Sequence, residues 1–114
     1  MATATHSNLD IQNLDSLADQ LRLEWGDLAA VLGVDQSTLW RWRRGESRPR
    51  PLSLSRLAQL GELREMLRRL FAGPDLAREW LQTARPEMLG GSETPLAVMR
   101  AGRIDRVLTV LHFL

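Results

Sequence analysis

The sequence predicts an all-α protein, a helix-turn-helix bundle followed by a small second helical unit. Three observations carry this prediction. Apolar residues recur every three or four positions along most of the 114-residue chain, the period of a helix with one buried face. Glycine and proline interrupt these stretches at intervals that suit short helices. No stretch alternates apolar and polar residues as a half-buried strand would, and no segment repeats.

Residues 1–12 are read as a flexible N-terminus, beginning with a run of small polar residues. Leu14, Leu17, Ala18 and Leu21 then predict a helix over about 13–23. Residues 25–45 predict two short helices, about 25–32 and 36–44, joined by a turn at Gly33. Leu28, Ala29 and Leu32 form the buried face of the first, with Trp25 packing at its start. Val34 plugs the turn, Leu39 and Trp42 bury the second helix, and the small Ala29 lets that helix approach closely. Asp35 suits the N-cap of the second helix and Gly45 its C-terminal stop.

The two prolines in Glu46-Ser-Arg-Pro-Arg-Pro-Leu exclude a continuous helix there. A longer helix is expected from near Ser53 to about Phe71, with a stripe of Leu57, Leu60, Leu63, Leu67, Leu70 and Phe71. Gly61 weakens it by about 1 kcal/mol relative to alanine. Gly73-Pro74 ends this helix and divides a bundle of residues 13–72 from a unit of residues 73–114. Asp75 is expected to cap a helix holding Leu76, Ala77, Trp80 and Leu81, which Pro86 terminates. Leu89-Gly90-Gly91 reads as a turn. Thr94 is an N-cap with Pro95 at the first helical position, opening a helix that Gly102 closes. The last helix, about 103–113, places Ile104, Val107, Leu108 and Leu111 on one face. Val110, Phe113 and Leu114 widen that face beyond one core contact and point to an interface.

Composition removes several function classes. The absence of cysteine excludes disulfides and cysteine metal sites, and His6 and His112 lie near opposite ends, so no metal is expected. No run approaches the roughly 18 apolar residues of a membrane span, and the N-terminus lacks a basic-then-apolar signal pattern. A cytoplasmic protein without membrane contact is the expectation. There is no Cys/His pair, no carboxylate pair in an apolar setting and no phosphate-binding glycine loop, so neither an enzyme nor a cofactor is expected.

Charge is uneven. Residues 1–34 carry one arginine against five acids, a sum of −4, whereas residues 35–56 carry six arginines against Asp35 and Glu46, a sum of +4. All fifteen basic residues are arginine, which is read as codon bias rather than function. The basic block coincides with the second helix of the helix-turn-helix and the segment after it, which points to nucleic acid. Gln36, Ser37 and Thr38 fill the first turn, where side chains reach base edges in the major groove. Gln36 can pair with adenine, and Arg41, one turn on, with guanine. Arg43, Arg44, Arg48 and Arg50 suit phosphate contacts, which add affinity and salt dependence. Trp40 keeps two readings open, contact with sugar or a thymine methyl and packing against the next helix. Operator DNA with two half-sites requires a homodimer.

Two stretches together resemble a known family. They are Gly-Val-Asp-Gln-Ser-Thr-Leu-Trp-Arg-Trp-Arg-Arg-Gly-Glu-Ser-Arg-Pro at residues 33–49, and Trp80-Leu81, Pro86, Leu89-Gly90-Gly91, Thr94-Pro95-Leu96, Gly102 and Val107-Leu108 downstream. The pattern resembles the Xre/MbcA/ParS-type antitoxins, in which an Xre-like helix-turn-helix precedes a toxin-binding domain. The resemblance implies a type II antitoxin that covers the active site of a RES-domain, NAD-consuming toxin and represses its own operon. It implies that Trp80, Leu89, Gly90, Gly91, Thr94 and Pro95 shape the toxin-binding fold. Arg100, Arg103, His112, Phe113 and Leu114 are then the candidates for direct toxin contact. Two alternatives stand beside it: a stand-alone dimeric transcription regulator, and an antitoxin whose helix-turn-helix serves only oligomerisation.

Overall fold

The helix ends show how local chemistry partitions this chain. The computed structural model describes residues 14–84 and 93–114. Among these residues all regular structure is helical. In order the helices are α1 (Leu14–Leu21), α2 (Trp25–Leu32), α3 (Gln36–Arg43), α4 (Pro51–Leu70), α5 (Pro74–Leu81), α6 (Pro95–Arg100) and α7 (Ile104–His112). Pro86 and the Leu89-Gly90-Gly91 turn lie outside the described residues.

The two short helices predicted over residues 25–45 are α2 and α3. Glu24 and Asp27 form a reciprocal capping box at the start of α2. Gly33 closes it at φ 78°, and the Val34 amide donates back to the Ala29 carbonyl at 3.0 Å. Asp35 caps α3, accepting from the Thr38 amide at 2.8 Å and from its hydroxyl at 2.7 Å. Gly45, at φ 75°, ends α3 with the Glu46 amide bonded to the Arg41 carbonyl at 2.8 Å. Leu28, Ala29, Leu32, Leu39 and Trp42 are all buried.

Three expectations are corrected. α4 starts at Pro51 rather than near Ser53, because a proline in the first turn forfeits only an N–H that has no intrahelical acceptor. Ser53 is instead buried, and its hydroxyl donates to the Leu32 carbonyl at 3.2 Å, closing the end of α2 from outside. Gly73, not Asp75, is the N-cap of α5, with Pro74 in the first turn, so the Gly-Pro pair opens a helix as well as following one. In the apolar stripes, Leu70 is exposed in the last turn of α4 whereas Val110 belongs to the core.

One hydrophobic cluster runs through the described residues, from Leu14 to Leu111. Segments on both sides of Gly73 contribute to it: α7 packs on α4, α6 on α2, and α5 against α1 and α4. Phe71 and Trp80 meet across the turn with ring centroids 6.1 Å apart. Arg56 of α4 adds a second link. Its guanidinium sits against both Gly33 and Gly102, where a Cβ would collide with it at the first and approach to 2.7 Å at the second. Both glycines are left-handed, at φ 78° and 87°, so each turn requires glycine for its backbone, while the guanidinium beside it is the movable end of a long side chain.

Candidate nucleic-acid interface

α3 packs mainly on α2, which leaves its outer face uncovered. Leu39 and Trp42 point into the core, and Gln36, Ser37, Trp40, Arg41, Arg43 and Arg44 are exposed. Thr38 is only half-buried, and its backbone and hydroxyl are both engaged by Asp35. The Thr38 hydroxyl and amide hold the Asp35 carboxyl below its ordinary range, with Arg41 adding a smaller attraction. Arg41 in turn donates to the Thr38 hydroxyl at 3.3 Å. This chain of bonds fixes the first turn of the helix around an ionised cap.

Trp40 packs against the helix before it rather than the one after. Its ring lies 5.4 Å from that of Trp25 at 45°, and 43% of the residue remains exposed. The Arg43 guanidinium lies 4.9 Å from the centre of the Trp40 ring and pairs with Asp15 of α1 at 2.9 Å. Arg44 pairs with Glu46. Arg48 and Arg50 are exposed, with no ion-pair partner among the described residues. Of the predicted cationic set, Arg41, Arg43 and Arg44 lie on or at the end of α3, and Arg48 and Arg50 lie in the segment between α3 and α4. Arg43 and Arg44 carry exposed internal counter-charges, and Arg48 and Arg50 carry none.

Sequence reasoning missed two contributors. Asp15 holds Arg43, and nothing in its local sequence marks it as a partner of a distant helix. Gly26 lies beneath the Gln36 amide, where a Cβ would approach its nitrogen to 3.2 Å. A glycine next to Trp25 in the first turn of a helix was the only available signal, and it reads equally as an ordinary helix start.

The C-terminal candidates fall into different environments. Trp80 and Pro95 are buried, and the Thr94 hydroxyl accepts from the Ala97 amide at 3.1 Å as the N-cap of α6. Arg100 donates to Asp27 of α2 at 2.9 Å, and the Asp27 side chain is only 16% exposed. Arg103 binds Asp105 through two nitrogens at 3.1 and 3.0 Å; hydrogen bonding raises the Arg103 pKa and lowers that of Asp105. His112 lies 3.9 Å from Glu62 at the other end of α7, next to Phe113, which is 86% exposed, and the exposed Leu114. The nine residues of α7 separate these ends by about 13 Å, so Arg100 and Arg103 form one group and residues 112–114 another. Leu89, Gly90 and Gly91 lie outside the described residues. No helix among the described residues is long and apolar enough to cross a membrane, and no cluster of their His, Asp and Glu side chains could hold a metal ion. No protein-family model matches the chain, and no curated protein is significantly similar to it.

Proposed function

We propose that α2 and α3 are a DNA-binding helix-turn-helix and that the chain is a type II antitoxin that represses its own operon. The observation that carries the DNA-binding part is the outer face of α3. Gln36, Ser37 and Arg41 stand exposed on the first turns of a helix whose opposite side, Leu39 and Trp42, is fixed in the core. A helix held in this way can enter the major groove without local unfolding. Gln36 and Arg41 read base edges there, and Arg48 and Arg50 meet phosphates with no ion pair to break among the described residues. Arg43 and Arg44 exchange exposed carboxylates for phosphates, a small cost because exposed ion pairs contribute only about 0–1 kcal/mol. Two copies of the chain address the two halves of the operator.

The antitoxin part rests on the sequence resemblance, with a RES-domain, NAD-consuming toxin as the partner whose active site is covered. Exposed Phe113 and Leu114 offer the apolar contact this requires, whereas buried Trp80 and Pro95 act through the fold. Acting by binding alone, the protein needs neither catalytic residues nor a cofactor, and its place is the cytoplasm. A stand-alone dimeric regulator is the second reading, favoured by the packing of α6 and α7 on α2 and α4 as a buttress for the helix-turn-helix. Co-expression with the neighbouring toxin frame separates the two. Rescue of growth and co-purification support the antitoxin, and failure of both leaves the regulator. Arg41→Ala should keep toxin neutralisation while weakening operator binding by about 1–3 kcal/mol.

A further inference from the structure

At the end of the molecule formed by the last turns of α1 and α4 and the turn into α5 lies a cavity of about 430 Å³. That is within the range of small-molecule sites, about 300–1,000 Å³. Its walls divide by chemistry. Leu21, Leu67, Phe71 and Ala77 supply apolar surface, and Arg22, Arg64 and Arg68 supply three positive charges, whose ion-pair carboxylates are Asp19 in the lining and Asp75 and Glu65 beside it.

None of these arginines is firmly neutralised. Arg22 reaches Asp75 and Asp19 at 3.3 and 3.4 Å, both carboxylates being largely exposed. Arg64 approaches Glu65 only to 3.6 Å, and its Nε is buried without a hydrogen-bond partner. Arg68 shares that same Glu65 at 3.2 Å. Arg22 also occupies a left-handed position, φ 55°, that closes α1 and that glycine would fill without strain. Gly73 and Pro74 line the cavity too, so the positive end of α5, with no side-chain cap on its first amides, borders the same space.

From this juxtaposition we infer that the cavity binds a small organic anion, a carboxylate or phosphomonoester carried on an apolar body about the size of a phenyl ring. The head group meets Arg22, Arg64 and Arg68, and the body covers Leu67, Phe71 and Ala77. The site is separate from the outer face of α3 and independent of the DNA-binding proposal.

The test is an amide NMR titration of the full chain at constant ionic strength with phenyl phosphate, benzoate, inorganic phosphate and benzyl alcohol. Saturable shifts centred on residues 19–22 and 64–77 are expected with phenyl phosphate or benzoate, and the tighter of the two identifies the head group. Benzyl alcohol, which lacks the charge, should bind at least about tenfold more weakly, and Arg68→Gln should weaken the anion about tenfold. Arg64→Gln should do the same, and Arg48→Gln, outside the cavity, should have no effect. The proposal is overturned by any of three results: no saturable shift with either organic anion, equal binding of benzyl alcohol, or unchanged affinity in the exposed, fold-neutral Arg68→Gln.

Discussion

The outer face of α3 and the α6–α7 hairpin both present arginines, and they hold them differently. On α3, Arg43 and Arg44 face carboxylates whose side chains are 56% and 53% exposed, and Arg48 and Arg50 in the following loop have no ion-pair partner among the described residues. On α6, Arg100 reaches Asp27, a side chain 16% exposed that also belongs to the capping box of α2. A counter-charge in water is cheaply exchanged for a phosphate, whereas a partly buried one is screened less and resists exchange. The same residue type is therefore held exchangeably on α3 and as an internal tether at Arg100, whereas Arg103 of the same hairpin, paired with an Asp105 side chain 53% exposed, is held like the α3 pairs.

The comparison breaks first if the two regions are not one folding unit. Leu39→Ala in α3 and Met99→Ala in α6, both fully buried positions, should each cost about 2–5 kcal/mol. In urea both should shift one shared transition; two separate transitions would mean that the hairpin folds apart from α2 and α3. Next comes the link between them. Gly33→Ala should cost about 1–3 kcal/mol, chiefly through its left-handed backbone, with the movable Arg56 guanidinium adding little. Arg56→Ala in the same chain should recover only a small part of that loss, since the guanidinium can swing aside and the backbone strain remains. Full additivity in that double-mutant cycle would remove Arg56 from the account.

A smaller effect sharpens the contrast between tether and contact. Arg100→Ala should destabilise by about 1 kcal/mol and leave operator affinity unchanged, and Arg48→Ala should do the reverse, lowering the salt slope of operator binding by about 1. The smallest effect is in acid. The Thr38 hydrogen bonds depress the Asp35 carboxyl below its ordinary 3.8. Its contribution to stability is thus complete above that value and is lost as pH falls through the lower folded-state pKa. Asp35→Asn keeps the cap and should flatten that part of the pH–stability curve.

Local chemistry was legible in the sequence. Asp35 and Thr94 as caps, and Gly33, Gly45 and Gly102 as helix ends, each answer a requirement set within a few residues. Punctuation was legible only as a break. Gly73-Pro74 stops one helix and starts the next by the same two properties, so α5 begins two residues earlier than Asp75 implied. The apolar stripes told which face is inward but not where the partner helix ends, hence exposed Leu70 and buried Val110. Ion pairs between distant helices, Arg43 with Asp15 and Arg100 with Asp27, leave no periodic trace. For the candidate site, residue types on α3 could be read from the sequence, and which arginines have ion-pair partners among the described residues could not.

The central claim is that the exposed face of α3 reads DNA, with base contacts distinct from phosphate contacts. The most direct measurement is fluorescence anisotropy of the purified chain on the DNA upstream of its own gene, across a salt series, for the unaltered protein, Arg41→Ala and Arg48→Ala. The account predicts that Arg41→Ala loses about 1–3 kcal/mol on that DNA and little on unrelated sequence, and that Arg48→Ala weakens both alike with a salt slope reduced by about 1. Equal affinity of all three proteins for the upstream DNA would contradict it.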